Sequence, residues 1–207
     1  MTRPLGVILA GGLSRRMGGG DKSLLMLDGR PILSHVIDRL APQTQRIALN
    51  ANGDPARFAS FGLPVIADSI EGFAGPLAGV LAGLDWAAQL GAPAIVTAAA
   101  DTPFFPTDLA ARLHDTATAN GAPIALAATP GNSGQQNRHP TFGYWQATLR
   151  DDLRDALEGG LRKVVQWTDR HGAATAMFDA GALDPFFNVN TPEDLELAQG
   201  HIAETSQ

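Results

Sequence analysis

Leu9-Ala10-Gly11-Gly12-Leu13-Ser14-Arg15-Arg16-Met17-Gly18-Gly19-Gly20-Asp21-Lys22 grows out of a short apolar run at residues 6–10. A buried strand that breaks into glycines brings backbone N–H groups to its carboxyl end, where no Cβ holds an anion away. Two basic side chains stand within reach of such a nest. Arg16 offers a planar fork that can neutralise the outer phosphates of a triphosphate, and Lys22 a compact ammonium that can meet charge at an α-phosphate. An ordinary flexible glycine loop accounts for the same residues without any ligand.

The two common phosphate motifs fail on this stretch. A P-loop needs Gly-Lys in contact, and Asp21 separates Gly20 from Lys22. The dinucleotide fingerprint G-x-G-x-x-G is also missing after the strand.

Outward from the loop, other short apolar runs bounded by Gly, Pro and Asp read as buried strands at 46–51, 65–67, 94–100 and 124–128, with another near 141–144. Helical spacing lies between them. Pro31 opens one helix with Leu33, Val36, Ile37 and Leu40 on one face; others cover about 77–90, 108–119 and 147–158. The last helix has a start signal of its own: Thr191 as N-cap, Pro192 at the first helical position and Asp194 closing a capping box, ahead of a stripe of Leu195, Ala198 and Ile202. Alternating strands and helices predict an α/β chain, a three-layer α/β/α sandwich whose sheet is largely parallel and Rossmann-like. Ligands of such sheets bind beyond the carboxyl ends of the strands. The Gly/Asn/Gln-rich piece at 130–139 reads as a loop beside that edge.

Composition narrows the chemistry. The chain has 207 residues, which suits a single domain over 1–207. It has no cysteine, which removes disulfide scaffolds, thiolate catalysis and thiolate zinc sites. No apolar run is long enough to span a bilayer, and the N-terminal run leads to no cleavage site, so no membrane role is expected and the cytoplasm is the expected compartment. A net charge of −6 has the wrong sign for nucleic-acid binding over a broad face. Residues 1–30 nevertheless carry five basic side chains against two acidic ones. That suits a small anionic ligand, although a solvated loop explains it as well on charge alone. Only Lys22 and Lys163 are lysines among 15 basic residues, so Lys22 stands out in a chain that otherwise uses arginine.

Leu-Ala-Gly-Gly, Ser-Arg-Arg-Met-Gly and Asp-Lys, read together, resemble the signature of the molybdenum cofactor guanylyltransferases within the nucleotidyltransferase superfamily. Asp28-Gly29-Arg30-Pro31-Ile32-Leu33 looks like that family's entry to its first long helix. The resemblance continues along nearly the whole chain. Asn50 corresponds to a guanine-nucleotide contact, although an Asn at a strand end is also a common turn former. Val65-Ile66-Ala67-Asp68-Ser69 matches a segment with an Asp near the nucleotide, where a local turn bond is the plain alternative. Gly75-Pro76-Leu77-Ala78-Gly79 matches a turn into a helix. Ala98-Ala99-Ala100-Asp101-Thr102-Pro103 matches the segment whose Asp holds Mg²⁺ on the triphosphate. Three alanines there are smaller than the family pattern, and Asp-Thr-Pro is also a sound loop start.

Phe187-Asn188-Val189-Asn190 resembles an Asn-x-Asn beside the active site; alternation puts both Asn side chains on one side of an extended segment. His139-Pro140 resembles a His-Pro segment near the pterin, although the Pro alone forces an extended His. Arg162-Lys163 could meet a pterin phosphate but reads better as the exposed first turn of a helix.

The resemblance implies transfer of GMP from GTP to the terminal phosphate of molybdopterin, with pyrophosphate released and Mg²⁺ as cofactor. Arg16, Lys22 and Asp101 would be catalytic. Leu9, Ala10, Gly11, Gly12, Lys22, Asn50, Asp68, Asp101 and Asn190 would bind the nucleotide, and Asp101 the metal. Partners would be GTP and molybdopterin, with cofactor-insertion proteins or recipient molybdoenzymes as further candidates and no nucleic acid. A cytidylyltransferase for the same cofactor is the nearest rival, but it tends to carry Leu-Ala-Ala-Gly in place of Leu9-Ala10-Gly11-Gly12. A sugar-phosphate nucleotidylyltransferase would have a G-x-G-T-R-L loop, absent here. A non-catalytic nucleotide or cofactor carrier of the same fold would be expected to lack Arg16, Lys22 or Asp101.

Overall fold

Val7 and Ile8, adjacent in the first strand, are both fully buried but belong to different cores. That requires a sheet covered on both faces. The computed structural model describes residues 3–11, 21–70, 72, 75–131 and 134–205. Its strands, numbered in chain order, are β1 (Leu5–Leu9), β2 (Met26–Leu27), β3 (Arg30–Pro31), β4 (Ile47–Asn50), β5 (Val65–Ile66), β6 (Ala94–Ala99), β7 (Ile124–Pro130), β8 (Gln136–Gln146) and β9 (Ala174–Met177). The helices are α1 (Ile32–Leu40), α2 (Pro76–Gln89), α3 (Leu109–Ala119), α4 (Arg150–Glu158), α5 (Val164–Arg170) and α6 (Pro192–Thr205).

Seven strands make the main sheet in the order β5-β4-β1-β6-β8-β7-β9. β5, β4, β1 and β6 pair in parallel, β8 runs antiparallel to both β6 and β7, and β9 is parallel to β7. One reversed strand thus separates two parallel groups. Alternate residues feed the two cores: Ile8, Leu49, Val96 and Phe142 pack with α1 and α3, while Val7, Ala48, Ile95 and Trp145 pack with α2, α4 and α5. The three-layer, largely parallel α/β architecture is therefore present. At the centre, the buried Thr97 hydroxyl accepts from the Trp145 indole (3.0 Å) and the Gly143 amide (3.2 Å). Gly143 must be glycine there, since a Cβ would lie 2.7 Å from the Trp145 ring.

Several boundaries differ from the sequence reading. β8 begins at Gln136, so much of the piece read as a loop at 130–139 is the arm of a hairpin; polar side chains hid it because its first four residues leave the core. The β7–β8 register shifts between Leu126, opposite Gly143, and Ala127, opposite His139. Pro140 lies in that irregularity, where its missing N–H costs no ladder bond. Residues 147–149 form a 3₁₀ turn ahead of α4. β9 and the small β2–β3 hairpin are additional. The hairpin turns on Asp28 (φ 49°) and Gly29 (φ 72°), the left-handed pair that a tight turn of this kind demands. The capping box at α6 is formed as expected: Asp194 N–H donates to Thr191 Oγ1 at 3.2 Å, and Thr191 N–H to Asp194 Oδ2 at 2.9 Å. Ala198 is buried, with Leu195 and Ile202 half-buried beside it. Among the described residues no helix is long and apolar enough to cross a membrane.

Candidate active site

β1, β4, β5 and β6 are parallel, so their carboxyl ends share one edge, and most of the candidate residues follow from that. Leu9 ends β1 between Asn50 of β4 and Ala99 of β6. Ala10 N–H continues the ladder to Asn50 O at 2.9 Å, and Ala100 N–H donates to Leu9 O at 3.1 Å. Gly11 is exposed beyond this point. Gly12 and Arg16 lie outside the described residues, so the roles assigned to them rest on the sequence alone.

The edge carries two groups of polar side chains. In the first, Lys22 Nζ donates to Asn190 Oδ1 at 2.8 Å, with Asp101 close enough for the lysine's charge to act on its carboxyl. Asp101 follows β6, half-buried, with the Thr102 hydroxyl 3.3 Å from Oδ1. The same hydroxyl lies 2.5 Å from Asn188 Oδ1. Between the two asparagines, Val189 is fully buried and its N–H donates to Asp101 O at 2.9 Å. The alternation read in Asn188-Val189-Asn190 is thus real: valine anchors the segment in the core, and both carboxamides face the Asp101 side.

Burial pushes the Asp101 carboxyl above its usual range, against its own backbone N–H, Lys22 and Thr102. A desolvated carboxylate of this kind gains by meeting a cation. Among the described residues no group of three His, Cys, Asp or Glu side chains could hold a metal. Mg²⁺ needs no such cage; it commonly takes one or two carboxylates and completes its shell with phosphate oxygens and water. The donor set at Asp101 fits that mode of binding.

The second group surrounds Asn50. Its Nδ2 donates to Ile66 O at 3.2 Å and to Asp68 Oδ1 at 2.9 Å. Its Oδ1 points at α2, where a Cβ on Gly79 would lie only 2.3 Å away. That contact explains the glycine in Gly75-Pro76-Leu77-Ala78-Gly79. Asp68 is held from a second side, by Asn52: Nδ2 donates to Asp68 Oδ2 at 2.7 Å, and Asp68 N–H to Asn52 Oδ1 at 2.9 Å. Asn52 went unnoticed in the sequence because it stands in an irregular loop; its spacing of two from Asn50 was the available signal.

His139 lies on the arm of β8, with Nε2 2.9 Å from Thr129 Oγ1 and its ring stacked on Phe186 at 4.4 Å. Burial lowers its pKa, with Asp184 opposing. Arg162 and Lys163 are exposed ahead of α5, in keeping with the surface reading.

Against known proteins, the model of the MobA-like NTP transferase domain matches residues 6–174. A molybdenum cofactor guanylyltransferase from Bradyrhizobium sp. (strain ORS 278) is 52% identical over 197 residues, covering 94% of this chain and 91% of that protein. One from Cereibacter sphaeroides is 50% identical, covering 95% and 96%. In fold, the chain is similar to molybdopterin-guanine dinucleotide biosynthesis protein A from Archaeoglobus fulgidus, with a TM-score of 0.74 at 23% identity over 97% of this chain and 99% of that one.

Proposed function

We propose that this chain, which belongs to the MobA-like NTP transferase family, transfers GMP from GTP to the terminal phosphate of molybdopterin and releases pyrophosphate. The observation that carries the reading is the Lys22–Asn190 hydrogen bond at the carboxyl edge of the sheet, with Asp101 near enough for the lysine's charge to act on its carboxyl. A fixed ammonium beside a desolvated carboxylate suits a reaction that gathers phosphates, and the relatives at about half identity carry the matching name.

Attack of the pterin phosphate on the α-phosphorus needs no side-chain nucleophile. Positioning and charge stabilisation supply most of the rate in such transfers. Lys22, held by Asn190, offsets negative charge at the reacting centre. Asp101 is the residue that would hold Mg²⁺, whose contribution when bound is to neutralise the triphosphate. Asn50 and Asp68 would face the nucleobase, and the amides of Gly11 and Gly12, just past the ladder bond of Ala10, the phosphates. Arg16 is assigned to the departing pyrophosphate. The molybdenum-bearing pterin would approach from the side of His139, and the cytoplasm is the proposed compartment.

The test is to incubate the protein with Mg²⁺, molybdenum-loaded molybdopterin and either GTP or CTP, measuring pyrophosphate together with the pterin product. Guanylated pterin from GTP is expected. Product from CTP alone would overturn the choice of base, and no product from either nucleotide would favour a carrier.

A further inference from the structure

Arg57 stands outside every motif described above, yet its guanidinium joins the two polar groups of the site. It lies in the 3₁₀ segment Pro55–Phe61, beyond the end of β4. Nε meets Asp21 Oδ2 at 2.8 Å, and one terminal nitrogen donates to Asn52 O at 2.7 Å. The guanidinium also lies over the Phe58 ring, 4.8 Å from its centroid, and Phe58 is buried in the core. Gly53 turns the chain at φ 83°, where a Cβ would come within 3.1 Å of the arginine. Asp21 precedes Lys22 directly. Asn52 clasps Asp68, which in turn holds Asn50. An unbroken series of contacts therefore runs from the residue beside the lysine to the pair proposed to face the base.

We infer that Arg57 is a positioning residue that couples the phosphate side of the nucleotide site to its base side. This rests on the proposed GTP reading of the site. An exposed ion pair contributes little to stability by itself. The Asp21–Arg57 pair differs in what it connects: side-chain exposure is 33% for Arg57 and 20% for Asp21, and each end is fixed to a different part of the site. A nucleotide that engages both parts gains from their being held in register. One that engages only the base side does not.

Binding to purified protein distinguishes this from a purely structural role. GTP with Mg²⁺, and guanosine, which has no phosphate, are titrated against the wild type, Arg57→Ala, Arg57→Lys, Asp21→Asn and the Arg57→Ala/Asp21→Asn double variant, with melting temperatures in parallel. Arg57→Ala should weaken GTP by about fivefold or more, the lower range of site-to-site coupling, and change guanosine less than about twofold. Asp21→Asn should repeat that pattern, and the double variant should be no worse than Arg57→Ala alone, because both single changes break the Asp21–Arg57 pair. Arg57→Lys should restore part of the GTP affinity, since it keeps the charge and loses the fork. Equal losses for GTP and guanosine, or no loss for either, would overturn the coupling while leaving the proposed function in place. A well-folded wild type that binds no GTP would instead overturn the proposed function, and the coupling with it.

Discussion

Lys22 and Asn190 are 168 residues apart in the chain, and their side chains meet at 2.8 Å. The first lies just after the opening strand and the second just before the closing helix. The ammonium proposed to serve the reacting phosphates is therefore fixed by a segment just ahead of the closing helix. Val189 makes this possible: buried under α6, it sets the position of Asn190 while the Thr191–Asp194 box starts the helix.

Lys22→Ala should lower turnover by about 100-fold or more, the usual scale for losing a group aimed at developing charge, while the melting temperature changes little. Asn190→Ala keeps the ammonium but frees it, and should cost less than Lys22→Ala. Steady-state rates with GTP, beside thermal melts, check both. Normal turnover in well-folded Lys22→Ala protein would remove the lysine from the mechanism.

Asp101→Asn keeps the shape of the side chain and removes its charge. The Mg²⁺ concentration needed for half-maximal rate should rise, and maximal turnover should fall. An unchanged Mg²⁺ titration would move the ligand role to another residue. Because burial already strains the Asp101 carboxylate, the variant should melt no lower than the wild type in the absence of metal.

Gly79→Ala would set a Cβ 2.3 Å from Asn50 Oδ1 and 2.7 Å from the Leu9 side chain. Overpacking of this sort costs about 1–3 kcal/mol, and here it should also weaken GTP binding. Gly83→Ala is the control on the same helix: its Cβ would crowd Ile95 and Val7 at 2.8 Å, both in the core. It should lower the melting temperature without a selective loss of nucleotide affinity. Denaturant melts and GTP titrations of the two variants separate the effects.

His139 gives the acid side of the stability profile a defined direction. Burial lowers its pKa below the ordinary 6.5, despite Asp184. The unfolded chain therefore takes up the proton more readily than the folded one, and stability falls as pH drops from about 6.5 toward the folded value. The contribution is fully present above that window. His139→Asn should flatten this part of the curve in melts run from neutral to mildly acid pH; an unaltered acid slope would assign it to other groups.

Most of the frame was legible in the sequence because buried parallel strands are short apolar runs and each of them is punctuated. The end of β1 at Leu9, the helix with Leu33, Val36 and Leu40, and the cap at Thr191 all announce themselves locally. β9 did not: Ala174-Thr175-Ala176-Met177 has a single β-branched residue and no aromatic to mark a strand, and it is held by β7 rather than by propensity. The Asn50–Asp68 bond was approached from both sides without being joined, since 18 positions separate its ends. Arg57 was invisible for a different reason. Its role comes from a neighbour 36 positions earlier, and nothing in periodicity or motif connects residues across such an interval.

The irregularity at Pro140 has a consequence for how such a molecule can diversify. Beyond it, Gln136–His139 pair with β7 and not with β6, while Ala127 and Ala128 also keep β9, so this arm runs past the carboxyl end of β6 as an awning that the central strands do not need for support. Its length and lettering can drift between lineages while β1, β4, β5 and β6 keep their register. If the acceptor enters on that side, as proposed, a lineage can change the guest admitted there and inherit the nucleotide half untouched.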